Sequence, residues 1–272
     1  MLRTDLGVDL DLLVVLVAAL WGAATGALLP RAAYRFSVPS GEAWRDRCPR
    51  EHPVRGWLGR ARCGQCAGGE PSFASRAADE AVYGPRAADE AVYGHRAASL
   101  ALVTALVCAA LAAATGTRPE LAVWLLLAPV GVLLAAVDLK VRRLPDPLTL
   151  PLAGAALALL GLTALLPEHA GEWTTALLGA LALGAGYLVL FLINPAGMGF
   201  GDVKLALTAG AVLGWYGWPT LMLGTFAGFL LGAFYGGALL VARRAGRKTA
   251  IPFGPFLIAG AFLGVLAGAY AA

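Results

Sequence analysis

The residues whose types and spacing could do chemistry fall into two groups, a pair of aspartates and a set of thiols. Gly197-Met198-Gly199-Phe200-Gly201-Asp202-Val203-Lys204 places three glycines in five positions and then a carboxylate that leads into an apolar run. Such a turn permits positive φ and the close approach of another chain. Asp202 stands where a helix would begin, a position in which a carboxylate can also act only as a cap. A second acid changes the weighting. Asp138 closes the apolar run Leu121–Val137 and precedes Leu139-Lys140-Val141-Arg142-Arg143-Leu144-Pro145-Asp146. If both ends lie on one side of a membrane, the two acids can meet. Two close carboxylates cannot both ionise cheaply, so one holds a proton while the other can take one from water. Gly199 and Gly201 would let an extended chain approach. Lys204 either tunes the pair or extends its ammonium to the membrane surface. Asp146, following Pro145, is expected to cap the next helix.

The thiols lie in the hydrophilic stretch 30–97, as Cys48 and then Cys63-Gly64-Gln65-Cys66. Thiolates two residues apart can grip one Zn²⁺ from a tight turn, and Cys48 with His52 would complete a Cys₃His tetrahedron. The plainer alternative is a set of reduced thiols with no metal. Cys108 falls inside an apolar run and reads as a small core residue.

The elements that must position these groups are membrane helices. The chain is 59% hydrophobic and 14% charged, with a mean hydropathy of +0.72, whereas a soluble domain averages about a quarter charged residues. The fold class expected is therefore all-α, a polytopic membrane protein with the lipid bilayer as its surroundings and no nucleic-acid partner. Apolar runs fit to cross a bilayer core of roughly 30 Å occur at Leu10–Leu29, Ala98–Ala114, Leu121–Val137, Leu148–Leu166, Thr174–Ile193, Trp218–Val241 and Ile251–Ala271. The short run Val203–Gly214 counts as an eighth span, because Trp215, Tyr216 and Trp218 after it read as an interfacial aromatic belt. With eight spans, nineteen of the twenty-one Lys and Arg fall on one face, which the positive-inside tendency makes cytoplasmic, and both Asp138 and Asp202 lie there. Asp5 and Asp9 before the first run, and Asp11 at its start, argue against a cleaved signal peptide.

The organisation expected is a first transmembrane helix over 1–29, a cytoplasmic loop over 30–97 and a membrane core over 98–272. Within the loop, Arg76–Gly84 is repeated without change as Arg86–Gly94, a tandem duplication over 76–94 that lengthens a polar connector. Glycines recur at four-residue intervals, Gly22 and Gly26 in the first span, Gly224 to Gly236 and Gly260 to Gly268 in the last two, and allow helices to pack closely. Pro252-Phe253-Gly254-Pro255-Phe256 opens the last span as a rigid turn or a broken start.

The Asp138 box with its basic turn and Leu144-Pro145-Asp146, together with Gly199-Phe200-Gly201-Asp202-Val203-Lys204, resembles the type IV prepilin peptidase family, GxGD-type intramembrane aspartic proteases. The cysteine loop after the first helix and the Pro252–Phe256 segment fit the same family. The resemblance implies that Asp138 and Asp202 are catalytic; Gly199, Gly201 and Lys204 beside them read from their own chemistry as substrate-binding or support residues. It also implies cleavage of a basic leader after a glycine in prepilin-like substrate proteins, at the cytoplasmic face of a bacterial plasma membrane. Many members then N-methylate the new N-terminus with S-adenosylmethionine. This chain departs from the family in its loop: members usually carry two CxxC pairs, but the third residue after Cys48 is Glu51, so Glu51 or His52 must supply a fourth ligand. A family glutamate before the second helix stands here as Ser99. Proteolysis itself needs no cofactor, while a structural zinc and S-adenosylmethionine attach to the loop. A rival from a different class is a small cation or proton-coupled transporter using the same two acids. It would need a polar path, and the spans hold few polar residues.

Overall fold

A bilayer core offers no water to unpaired backbone groups, so a chain this apolar closes its amide hydrogen bonds within helices. The computed structural model describes residues 2–39, 41–68, 93–195, 197–242 and 252–272. Among these residues there are helices and loops but no strand, only one isolated antiparallel bridge between Arg47 and Pro53. In chain order the helices are α1 (Leu2–Phe36), the short α2 (Gly64–Gly68), α3 (Ala97–Thr115), α4 (Glu120–Val141), α5 (Asp146–Thr163), α6 (Trp173–Ile193), α7 (Phe200–Trp215), α8 (Trp218–Val241) and α9 (Gly254–Ala271). All but α2 and α7 are long and apolar enough to cross a membrane. The protein is thus a multi-pass all-α membrane protein.

The expected eighth span is α7, and it differs in kind from the others. Its sixteen residues make a rod of about 24 Å, short of a roughly 30 Å bilayer core. Twelve of them are buried, because α6 runs along it and α5 and α9 cover its remaining sides. The aromatic belt expected after it is corrected in part. Trp218 is exposed, but Trp215 is only 1% exposed, its ring covered by Gly171 and by the His169 imidazole at 5.8 Å.

Small residues set the closest helix crossings. A Cβ on Gly22 would lie 2.5 Å from the Thr104 carbonyl oxygen, and one on Gly26 would lie 2.6 Å from that of Leu100, so α1 and α3 meet backbone to backbone. The glycines of α8 and α9 do the same, Gly224 against Gly260 and Gly228 against Phe256. Cys108 is fully buried beside Ala18 and Leu121, a core residue as its sequence context suggests.

One local feature brings the hydrophilic loop onto the bundle. Pro30 lies inside α1 and has no N–H to continue the ladder. Next to it Gly59, at φ +124°, donates its N–H to the Leu28 carbonyl and accepts from the Arg31 N–H, at 2.7 and 3.0 Å. The Arg31 guanidinium then donates to the carbonyls of Arg55 and Leu58, and Arg35 donates to that of Gly56. The loop is pinned to the part of α1 beyond Leu29. The tandem repeat expected at 76–94 lies outside the described residues, apart from Tyr93 and Gly94, as do the basic residues 243–248.

Candidate functional site

The two aspartates arrive from different helices and different ends of them. Asp138 sits in the last turn of α4, which runs on to Val141 and is closed by Arg142 in the left-handed conformation at φ 53°. Asp202 is the third residue of α7. Both are buried, at 4% and 6% exposure, and they lie within electrostatic range of each other without a direct hydrogen bond. Each is held by one backbone N–H. Gly199 donates to Asp202 Oδ2 at 3.1 Å, and Gly254, the first residue of α9, donates to Asp138 Oδ2 at 3.1 Å. Both carboxylates therefore face the positive end of a helix, Asp202 that of its own α7 and Asp138 that of α9.

The glycines of the Asp202 box serve space rather than backbone hand. None of Gly197, Gly199 and Gly201 takes a positive φ. A Cβ on Gly201 would fall 2.9 Å from Leu144 Cβ, so this glycine makes room for a leucine of the α4–α5 turn. At Gly199 a Cβ would meet little beyond Asp202 Oδ2 at 3.5 Å, which leaves that side open. Leu144 also reaches Gly254 and joins the apolar floor beneath the acids, with Leu134, Leu183, Val203 and Leu257.

Two expectations for the flanking charges are corrected. Lys204 Nζ pairs with Asp146 Oδ1 at 2.7 Å and lies over the Phe200 ring, rather than acting on Asp202. Asp146 is the first residue inside α5 and not its cap: the cap position is Pro145, and no side-chain cap bond forms. The ion pair instead ties the start of α5 to the start of α7.

Sequence reasoning passed over two residues. Gly254 was visible only as part of a rigid turn, and its partner Asp138 is 116 positions away. Tyr187 of α6 gave no signal beyond being one aromatic residue in an apolar run. It is 1% exposed, its hydroxyl is buried without a partner, and it lies within electrostatic range of Asp202. Its ring packs on Phe253, the neighbour of Gly254, with centroids 5.9 Å apart. A buried, unpaired hydroxyl facing an acid pair is a donor without an acceptor.

The thiols form a second cluster. Cys48 and His52 flank a tight turn in which Glu51 takes φ 61°, the Cys48 N–H donates to the His52 carbonyl, and the Glu51 N–H donates to that of Cys48. Cys63 and Cys66 stand at the start of α2. His52 Nδ1 lies 3.6 Å from Cys48 Sγ, 3.6 Å from Cys63 Sγ and 3.2 Å from Cys66 Sγ, and the sulfurs of Cys48 and Cys66 are 3.7 Å apart. Zn–S and Zn–N bonds of about 2.3 and 2.1 Å in a tetrahedron require edges of about 3.8 Å between sulfurs and about 3.6 Å between sulfur and nitrogen. The four side chains fit that figure, and all are free of disulfides. A hydrogen bond from the Cys66 backbone N–H is the chief cause that holds the Cys63 thiol below its ordinary range, while burial pushes the Cys66 thiol up to about 11, so a metal bound here would displace a proton. His52, not Glu51, is the fourth member, since Glu51 turns outward to pair with Arg47 at 3.7 Å. The loop also reaches the acids' own connection: Arg143 donates to the Pro39 carbonyl at 2.7 Å and stacks over Trp44 at 4.7 Å.

A multi-pass helical membrane protein that buries two aspartates against helix N-termini at one end of its bundle is the class that fold and site define. Residues 121–237, which contain both aspartates, match the type IV leader peptidase family. It is similar to the prepilin leader peptidase/N-methyltransferase of Aeromonas hydrophila, at 38% identity over 178 residues, which cover 62% of this chain and 56% of that protein. It is likewise similar to the protein of that name from Aeromonas salmonicida, at 38% identity covering 53% and 48% of the two chains. The Stutzerimonas stutzeri protein of the same name is 36% identical, covering 50% and 46%. The chain spans about half the length of these relatives. No solved structure matches it.

Proposed function

We propose that this protein is a membrane-embedded aspartic endopeptidase that removes the basic leader from prepilin-like proteins, cutting after a glycine at the cytoplasmic face of the membrane. The observation that carries this reading is the convergence of Asp138 and Asp202, from two helices, in one buried site within a leader peptidase domain. One carboxylate is charged and takes a proton from water. That water attacks the scissile carbonyl, the protonated partner donates to the carbonyl oxygen, and the proton passes to the leaving amine as the C–N bond breaks. The pair titrates as a unit, so neither acid is assigned a fixed role. The open side at Gly199 supports entry of an extended substrate chain, while Gly201 and Lys204 act through Leu144 and Asp146 to hold α7 in place. Tyr187 is suited to donate its free hydroxyl to the substrate carbonyl oxygen as charge builds there.

Counted with the enclosed α7 as a crossing element, nineteen basic residues fall on one face, which supports a cytoplasmic site in a bacterial plasma membrane. The division expected from sequence, a first helix over 1–29, a loop over 30–97 and a peptidase core over 98–272, remains our reading of the chain. Cys48, His52, Cys63 and Cys66 would hold a structural Zn²⁺, whose contribution is folding free energy for the loop. The relatives' names carry an N-methyltransferase activity as well, and S-adenosylmethionine would be its methyl donor here. None of the three relatives is named as a transporter.

The test is a peptide with a basic leader, a Gly-Phe junction and an apolar helix, incubated with the detergent-solubilised protein and followed by mass spectrometry. Cleavage after the glycine, with a further methyl group if the second activity is present, is the expected result. Asp138→Asn and Asp202→Asn should each abolish it while leaving insertion intact. An asparagine variant that still cuts would remove the acid pair from the mechanism.

A further inference from the structure

Two cavities flank the start of α3 and share one residue, His95. The first, of about 500 Å³, is walled almost entirely by apolar side chains of α3, α4, α7 and α9. On α3 it extends from Ser99 to Leu111, a length of about 18 Å at 1.5 Å per residue. Its lining includes Leu139 and Pro255, the residues that follow Asp138 and Gly254. The second, of about 560 Å³, opens where α1, the hydrophilic loop and α3 meet, and is bordered by Arg60, Arg62 and Arg96. Among the described residues no carboxylate pairs with these three guanidinium groups. His95 stands between the two cavities with its Nε2 buried and unpartnered, and the Lys140 ammonium lies within electrostatic range of it.

Size decides what the apolar cavity can take. A helix about 10 Å across and 18 Å long fills on the order of 1,400 Å³, nearly three times the space present. A single acyl chain is a file of methylene groups and fits such a slot without prising the bundle apart. An apolar slot that continues past an unpartnered nitrogen into a cluster of arginines with no carboxylate partner among the described residues matches an amphiphile with one acidic head and a long tail. We propose that this protein binds one anionic phospholipid, its phosphate held by Arg60, Arg62 and Arg96 beside His95, and one acyl chain in the cavity between α3, α4, α7 and α9. The bound lipid would be an internal part of the bundle that touches the walls next to both acids. This site is independent of the proposed cleavage and can be tested without it.

The experiment is native mass spectrometry of the full-length protein in a neutral detergent, titrated with phosphatidylglycerol and with phosphatidylcholine. One phosphatidylglycerol per chain is expected to be retained at least tenfold more tightly than phosphatidylcholine. Replacing Arg60, Arg62 and Arg96 together by Gln should weaken it by about fivefold per arginine, on the order of a hundredfold in all. Replacement of the three by Lys should keep most of the binding, and serves if the Gln variant does not fold. Gly131→Leu plugs the tail cavity, since a Cβ there meets only Ile258 at 3.8 Å, and should lower retention of the lipid while the delipidated protein unfolds at the parental temperature. Equal retention of the two lipids would overturn the headgroup assignment. Unchanged retention in Gly131→Leu would overturn the tail assignment. Displacement of the lipid by millimolar inorganic phosphate would mean that the arginines hold a free anion. Loss of binding of an apolar-helix peptide in Gly131→Leu, with lipid retained, would give the cavity to a protein segment instead.

Discussion

Gly254→Ala separates a positioning role from a folding one. A Cβ at this position would stand 2.8 Å from Asp138 Oδ2 and 3.3 Å from its carboxyl carbon. Ordinary contact begins near 3.4 Å, so the oxygen must retreat by about 0.6 Å. A carboxylate can do this by rotating, but it then gives up its N–H bond from Gly254, which is 3.1 Å long. Losing one hydrogen bond to a charged group costs about 1.5–3 kcal/mol, equivalent to a ten- to hundredfold loss of rate if that orientation is needed for cleavage. The fold should not suffer comparably. Gly254 has no positive φ, so alanine there meets no backbone strain. The measurement is the single-turnover rate of leader cleavage in detergent beside the thermal unfolding midpoint of the same preparation. A variant as stable as the parent that cuts at the parental rate would refute the idea that the α9 N-terminus orients Asp138.

Tyr187→Phe should move stability and activity in opposite directions. Removing a buried unpaired hydroxyl is worth about 1 kcal/mol to the fold, whereas losing a donor to the substrate oxygen should slow cleavage on the order of a hundredfold; a Phe variant with parental rate would reduce Tyr187 to packing. The Cys63→Ser, Cys66→Ser double variant should lose one zinc per chain by elemental analysis yet keep cleavage within about tenfold, the scale of loosening the Arg143 contacts to Pro39 and Trp44. Complete loss of cleavage in inserted protein would mean that the loop builds the acid site itself. Reporters fused after His95 and after Glu168 should read cytoplasmic and external respectively, and the reverse would put the acids on the wrong side for a retained basic leader.

What could be read in the chain before its structure divides along contact distance. The spans, the pairing of Asp138 with Asp202 and the Cys48, His52, Cys63, Cys66 group all rest on signals carried within short segments: apolar length, an acid at a run's end, a CxxC beside Cys-x₃-His. Gly254 and Tyr187 rest on packing between distant helices, and nothing in their neighbourhoods announces it. The Asp202 box shows a subtler limit. Three glycines suggested unusual backbone hand, but only the folded chain tells that Gly201 is required because Leu144 fills the space a side chain would take. Asp146 likewise has the local look of a cap, and becomes an ion-pair partner only when α7 brings Lys204 alongside.

The burial of α7 bears on how the protein meets membranes of different thickness. Helices in contact with lipid answer hydrophobic mismatch by tilting, at a cost of fractions of a kcal/mol per Å. α7 has almost no lipid-facing surface, and its neighbours take up that adjustment around it. A thicker or thinner bilayer would tilt the outer helices first, and the helix that carries Asp202 would feel the change only through them. Its shortness is then no defect in anchoring: the element that most needs a fixed position is the one the bilayer has least hold on.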